Sequence, residues 1–160
     1  MDRKVTEMKS IFFKFEEDFV EANIRCIPMI VRFKLDACGI KLKLAEWSRM
    51  TPGEREHLAA SPCKTQHQIA QYRKDLIRLI LDHTGSPATE LPIQQNTAWA
   101  RIDEIPHSIK EKLLEHSWSV SLQQWKSLTD LQRFALLKLS YRGHENKNFP
   151  KAMAEFGLDN

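Results

Sequence analysis

The residues best suited to chemistry in this sequence are three cysteines, Cys26, Cys38 and Cys63. Thiolates bind zinc and iron–sulfur clusters, but such a site needs three or four converging ligands, usually with one closely spaced pair. The sequence contains no CxxC pair. The three residues are therefore predicted to be buried or half-buried free thiols, because unpaired cysteine is usually buried. A redox or transient metal-transfer role is the alternative.

Helix geometry separates two of these cysteines. If residues 28–38 form a continuous helix, Cys26 and Cys38 lie roughly 16–18 Å apart at about 1.5 Å per residue. A disulfide requires Cα atoms within about 7 Å of each other. Cys26 and Cys38 are therefore not expected to share a bond or a metal ion, whereas Cys63 can approach either one.

A second candidate is the polar cluster of His144, Glu145, Asn146 and Asn148, which follows a strongly apolar segment. One His beside one Glu does not predict a metal site, since adjacent side chains rarely point the same way. Asn and His side chains bond readily to nearby backbone, so the cluster can simply fix a loop. The sharper alternative is a polar surface that faces a partner protein.

Signatures of the common enzyme classes are missing from the sequence. It has no GxSxG, no HExxH and no glycine-rich phosphate loop. The carboxylate pair Asp103–Glu104 is more typical of a solvated helix start than of a catalytic pair. The sequence therefore predicts that the protein is not an enzyme and has no resident cofactor.

The tryptophans form a further group of interest. Trp47, Trp99, Trp118 and Trp125 are expected in the core or at its rim, because large aromatic groups dominate core burial. A tryptophan that proved to be exposed would instead be a candidate contact in an interface.

Composition limits the class of protein. The chain has 160 residues, of which 42% are hydrophobic and 28% charged, with a net charge of +3. These values predict one soluble domain with a sizeable core. Nucleic acid is not expected as a partner, because no concentrated basic face is apparent. The N-terminus does not read as a signal peptide and no stretch is long enough to span a membrane, which predicts a cytoplasmic protein without membrane contact.

The strongest local structural signals lie between Arg25 and Trp47. Pro28 fits the first turn of a helix, and Gly39 can take the left-handed conformation that ends one. Apolar residues at helical spacing between them predict a core helix that closes at Cys38. This stretch is therefore expected to be the structural spine of the domain.

Capping residues and prolines place the other helices. Thr51 and Glu54 form a capping-box pattern that predicts a helix to about Ala60, and Ser61–Pro62 ends it. Similar signals predict a short helix over Glu17 to Ile24, a long one from Thr65 to Gly85, and others that begin at Pro106, at Ser121, at Thr129 or Asp130, and after Pro150.

Two short segments alternate apolar and polar residues, around Phe13 and Phe15 and from Ile40 to Leu44. They allow one short pair of strands. The prediction is an all-α fold, a single compact multi-helix domain over residues 1–160 with one short two-stranded β pair near the N-terminus. Residues 1–10 are predicted to be frayed and residues 86–98 to form an internal loop.

Several stretches together resemble the nitrate reductase-associated family, the NarM-like proteins, from about Phe12 to Leu158. They are FKFEEDFVE, RCIPMIVRFKLDACGIKLKLAEW, SPC, YRKDLIRLI, IPHSIKEKL and LQQWKSLTDLQRFALLKLSYRGHENKNF. The resemblance implies a cytoplasmic accessory protein needed for an active assimilatory nitrate reductase, an enzyme with a molybdenum cofactor and an iron–sulfur cluster. It also marks matching positions as candidates for function: Cys26, Cys38, Cys63, Arg133, His144, Glu145, Asn146 and Asn148.

Three hypotheses follow for the function. The first is a maturation factor that binds the nitrate reductase apo-protein and favours cofactor assembly, with Arg133 and the polar cluster facing the partner. The second is a carrier that holds a metal or an iron–sulfur cluster transiently through its cysteines. The third is a small helical interaction module, or an enzyme, of an unrelated pathway.

Overall fold

The computed structural model describes residues 11–141 and 147–159. The chain divides into two compact units, Met1–Gln94 and Gln95–Asn160. Within the described residues of the first unit, a 3₁₀ turn at Lys14–Glu16 precedes helices α1 (Glu17–Glu21), α2 (Met29–Cys38), α3 (Leu44–Arg49), α4 (Pro52–Ala60) and α5 (Gln66–Thr84), with strands β1 (Ile40–Lys41) and β2 (Thr89–Glu90). The second unit holds α6 (His107–Glu115), α7 (Leu122–Ser127), α8 (Asp130–Ser140) and α9 (Asn148–Glu155).

This architecture confirms the predicted all-α fold with one short two-stranded sheet. The single domain over residues 1–160 stays a prediction, and the frayed terminus predicted for residues 1–10 lies outside the described residues. Among the residues described, no helix has both the length and the apolar character needed to cross a membrane.

Four of the helices begin with the same local device, a capping box. In each box a Ser or Thr hydroxyl accepts from a backbone N–H three residues on, and the Glu or Gln there accepts from the cap's own N–H. At α4, for example, Glu54 N donates to Thr51 Oγ1 at 3.1 Å and Thr51 N donates to Glu54 Oε1 at 2.8 Å. The other pairs are Thr65 with Gln68, Ser121 with Gln124, and Thr129 with Gln132. These contacts confirm the predicted starts of α4, α5, α7 and α8.

Helix α2 ends at Gly39, whose φ of 73° is the left-handed conformation that the sequence predicted. Space also requires a glycine there. A Cβ atom at this position would lie 2.8 Å from the carbonyl oxygen of Leu91 and 3.0 Å from Ile93 Cγ1. The close approach lets Leu91 N donate to Gly39 O at 2.8 Å, next to the antiparallel pairing of Ile40 with Glu90.

The strand pair differs from the prediction in its partner. Residues 13 and 15 lie at the 3₁₀ turn, where Phe13 and Phe15 stack at 5.2 Å, and Leu44 opens α3. Ile40–Lys41 pairs instead with Thr89–Glu90, inside the segment that was predicted to be a loop. The alternation of Phe13 and Phe15 was too short to distinguish a strand from a turn.

Two helix boundaries also differ from the prediction. Helix α1 stops at Glu21, because Asn23 and Ile24 adopt left-handed backbone with φ of 58° and 52°. Helix α9 begins at Asn148 rather than after Pro150. Pro150 is then the third helical residue, where a missing N–H removes no hydrogen bond within the helix.

Each unit has its own buried aromatic centre. In the first unit Trp47 is fully buried and donates its indole N–H to Ile24 O at 2.8 Å. Arg55 donates to Asn23 O at 2.8 Å and to Trp47 O at 3.2 Å, so the left-handed corner is held from two directions. In the second unit the buried Trp125 donates to Arg101 O at 3.0 Å.

A buried carboxylate joins the start of the described chain to the core helix. Glu16 is 3% exposed, and its Oε2 accepts from Met29 N, the first residue of α2, at 2.8 Å. Its Oε1 accepts from Phe13 N at 3.3 Å. Because α2 has no side-chain cap of its own at Pro28, this distant carboxylate takes that role.

We expect Glu16→Ala to lower the free energy of unfolding by about 2–3 kcal/mol, since it removes charge-assisted bonds and leaves the Met29 N–H without its acceptor. Urea unfolding followed by circular dichroism measures the change. The matched control is Glu17→Ala, which truncates the exposed neighbour and should leave stability near that of the wild type. Equal stability of the two variants would contradict the capping role of Glu16.

Candidate functional site

Two of the three cysteines lie in the interior of the first unit. Cys38 is the last residue of α2, is fully buried, and directs its thiol to Leu35 O at 3.6 Å. Cys63 lies in the loop between α4 and α5, with its thiol 3.9 Å from Lys34 O, one turn before Cys38. Cys63 therefore lies against the end of α2 that carries Cys38. Helix geometry had allowed Cys63 to approach either Cys26 or Cys38.

A lysine and a tyrosine complete this buried group, which we call the thiol cluster: Lys34, Cys38, Cys63 and Tyr72. Lys34 is 9% exposed, and its Nζ donates to Ala59 O at 2.6 Å. The same ammonium lies 5.9 Å from the centre of the Tyr72 ring, and the Tyr72 hydroxyl donates to Leu58 O at 2.9 Å. The cluster thus joins α2, α4 and α5 through polar contacts within an apolar core.

Burial sets the protonation of the cluster. It raises the pKa of the Cys38 thiol to about 11, with a further increase from the nearby Cys63. It also raises the pKa of Cys63, against a smaller opposing effect of the Lys34 charge, and that of Tyr72. Because the thiolate is the nucleophile and the metal ligand, protonated Cys38 and Cys63 are poor at both tasks near neutral pH.

Cys26 occupies a different environment. It precedes α2, is half-buried, and its sulfur lies 3.9 Å from Nη1 of Arg25. Cys38 closes the same helix at its other end, so the two residues are separated as expected. Within residues 11–141 and 147–159, no three His, Cys, Asp or Glu side chains are arranged to hold a metal ion.

A shallow cleft of about 490 Å³ lies between α4 and α5 and is lined by charged side chains of both helices. His83 Nε2 is 2.7 Å from Glu54 Oε1, and His57 Nε2 is 3.7 Å from Asp75 Oδ2. The backbone N–H of Thr51 holds the pKa of Glu54 below its usual value, and the bond from His83 adds to this effect. These two ion pairs join α4 to α5.

In the second unit, Arg133 lies in the interior rather than on the surface. It is 5% exposed, and its guanidinium donates to Trp99 O at 2.9 Å, to Leu128 O at 2.6 Å and to the carboxylate of Asp130. A buried group with three internal acceptors favours a structural role over the direct partner contact that was predicted for it.

Of the other predicted partner-facing residues, only Asn148 belongs to the part of the chain that the structure describes. His144, Glu145 and Asn146 lie outside the described residues, and Asn148 is the half-buried first residue of α9. A role for these four residues therefore stays a prediction.

Sequence reasoning did not single out Lys34. Helical spacing allowed either Phe33 or Lys34 on the inner face of α2, and a charged residue is rarely buried. The available signal was its position, since Lys34 lies four residues before Cys38 and three after the buried Val31.

The fold and the cluster define a small helical protein whose buried reactive groups are protonated near neutral pH. Residues 12–156 match the family described as conserved nitrate reductase-associated protein, and the chain belongs to this family. The resemblance drawn from the sequence is thereby confirmed, and it links the protein to nitrate reductase. No curated protein and no solved structure gives a significant match.

We expect native protein treated with iodoacetamide near neutral pH to be modified at Cys26 first. Cys38 and Cys63 are protected by burial and by their raised pKa values, and should react only after unfolding. Peptide mass spectrometry before and after adding urea measures each site. Cys26→Ser is the control, which should leave the native protein almost unreactive. Rapid native labelling of Cys38 would contradict the protected cluster.

Lys34 predicts a distinct dependence of stability on pH. Burial lowers its pKa from 10.5 to about 8, so between these values the unfolded chain binds more protons than the folded one. The Lys34 contribution therefore makes the folded state more stable as pH rises through this window, by at most about 3 kcal/mol. Unfolding of the wild type and of Lys34→Met across this window should give a free-energy difference that changes with pH in that direction.

The matched control for Lys34→Met is Lys74→Met, which replaces an exposed lysine of α5. The free energy of unfolding of Lys74→Met should differ from that of the wild type by the same amount at every pH. Titration of Cys38, Cys63 and Tyr72 acts in the opposite direction, but it is largely common to the proteins compared. If the free-energy difference between Lys34→Met and the wild type were as independent of pH as that of the control, the Lys34 ammonium would not be buried.

Proposed function

We propose that this protein is an accessory factor that binds the apo-form of a cytoplasmic assimilatory nitrate reductase. It would assist assembly of the molybdenum cofactor or the iron–sulfur cluster without itself turning over nitrate. The observation that carries this proposal is the match of residues 12–156 to the nitrate reductase-associated family.

The chemistry of the chain supports binding over a cysteine-based carrier of metal or clusters. A carrier needs several thiolates that converge at an accessible point. Cys38 and Cys63 are buried with raised pKa values, and Cys26 lies before the far end of α2. A half-buried cysteine alone supplies one ligand of the three or four required. An interaction module of an unrelated pathway has less support, since the family is named for nitrate reductase.

Binding is tested with purified reductase made without its cofactors. Isothermal titration should show that the protein binds this apo-reductase at least roughly tenfold more tightly than the holo-reductase, because a maturation factor must leave the finished enzyme. Deleting its gene should lower reductase activity and growth on nitrate. Undiminished reductase activity in the deletion strain would refute the proposal.

The carrier alternative is tested by restoring the deletion strain with the Cys26→Ser variant. We expect this variant to restore reductase activity as well as the wild type does, because the proposed function does not use a thiolate. Metal analysis after anaerobic purification accompanies the test. Loss of restoration, together with metal bound by the wild type and absent from Cys26→Ser, would favour the carrier.

A further inference from the structure

Residues 86–93, here called the strap, lie against the end of α2 that carries Cys38. Leu91 N donates to Gly39 O at 2.8 Å, and Ala88 packs against the hydrophobic core cluster that includes Cys38. Most of the other side chains of the strap are exposed. The strap is therefore a thin cover over this part of the core of the first unit.

One arginine of α5 joins the strap to the end of α2. Arg73 Nη1 donates to Cys38 O at 2.7 Å, and Nη2 donates to the carboxylate of Glu90, in the middle of the strap. The Cys38 carbonyl is one of the last four of its helix, which have no donor within the helix. The ion pair of Arg73 with Glu90 is the part of this connection that solvent reaches, because the Glu90 side chain is 66% exposed.

The Cys38 thiol lies at the same junction. Burial raises its pKa to about 11, and the nearby Cys63 adds to the increase. A backbone hydrogen bond with Ile40 and the charge of Arg73 oppose that increase in the pKa. Ile40 is the residue that pairs with Glu90 of the strap. Release of the strap would hydrate this thiol, and a hydrated thiol near an arginine is a better nucleophile than a buried one.

The strap is held less firmly than the helices. Strands β1 and β2 have two residues each, and an isolated two-stranded sheet is at best marginally stable. An exposed ion pair adds little, because water and salt screen its charges. Pro87 and Pro92 lie on either side of β2 and restrict the backbone there, so a released strap would move as one stiff segment.

We propose that the strap controls access to the Cys38 thiol, with the ion pair of Arg73 and Glu90 as its latch. While the latch is closed, Cys38 is protected together with the rest of the thiol cluster. Local release of the strap makes Cys38 available to an electrophile, whereas Cys63, in the loop between α4 and α5, stays protected. This device lies within the first unit and does not depend on the proposed function.

The test measures how fast iodoacetamide alkylates Cys38 in native protein that carries Cys26→Ser. In this reaction the thiolate displaces iodide, and the thiol proton goes to the buffer. Glu90→Gln keeps the size of the side chain but removes the charge that Arg73 binds. We expect it to raise the slow alkylation rate of Cys38 about threefold, the effect of losing one exposed ion pair, and to leave the rate of Cys63 unchanged.

The matched control is Asp82→Asn, which removes another exposed ion pair of α5. Asp82 pairs with Arg78 on the side of α5 that lines the cleft with α4. This variant should keep the wild-type rate of Cys38 alkylation. Added salt should raise the Cys38 rate in the wild type and change it little in Glu90→Gln, where the ion pair is already absent.

A second variant displaces the strap by steric conflict. A Cβ atom at Gly39 would lie 2.8 Å from Leu91 O, so in Gly39→Ala the strap must shift. We expect alkylation of Cys38 to be at least about tenfold faster. The left-handed φ of Gly39 also strains this variant, so the rate of Cys63 in the same sample serves as the reference for unfolding of the whole unit.

Faster alkylation of Cys38 relative to Cys63 in both Glu90→Gln and Gly39→Ala would support the proposal. A wild-type Cys38 rate in Glu90→Gln would overturn it, because the ion pair would then not hold the strap. Equal increases at Cys38 and Cys63 in the two variants would also overturn it, since access to Cys38 would then require unfolding of the whole unit.

Discussion

The buried end of helix α4 imposes the constraint on which the first unit depends. The last carbonyl groups of any helix lack partners within the helix, and at a buried end they must find donors elsewhere. Here Leu58 O receives the Tyr72 hydroxyl and Ala59 O receives the Lys34 ammonium. One donor comes from α5 and the other from α2, so satisfying two carbonyls fixes three helices around one point.

This constraint explains why the core tolerates a lysine. Burial of an ammonium is unfavourable, and its lowered pKa reflects that cost. Leaving Ala59 O without a donor would also be unfavourable. The second unit shows the same arrangement, where Arg133 donates to Leu128 O at the end of α7. Within the described residues, every buried side-chain nitrogen and oxygen has a hydrogen-bond partner.

Features that depend on neighbouring residues could be predicted from the sequence, and those that depend on distant residues could not. Thr51 and Glu54 lie three residues apart and determine a helix start by themselves. Gly39 alone likewise predicts the end of α2. The strand partner of Ile40 is Glu90, which lies too far along the sequence for a local pattern to predict the pairing.

The candidate sites follow the same division. Helix geometry was enough to separate Cys26 from Cys38, but it could not choose which of them Cys63 would meet. It also could not show that Arg133 would be buried, because a charged residue at that spacing is more often exposed.

The close approach of Gly39 to Leu91 and Ile93 has a consequence for the order of folding. Pairing Ile40 with Glu90 closes a loop of about 50 residues, and this costs about 3–4 kcal/mol of chain entropy beyond a constant term. A sheet of two residues per strand cannot supply that alone. The helices between the strands must therefore pack first and bring the ends together. We expect residues 86–93 to be the last part of the first unit to order, and the first to open in native-state hydrogen exchange.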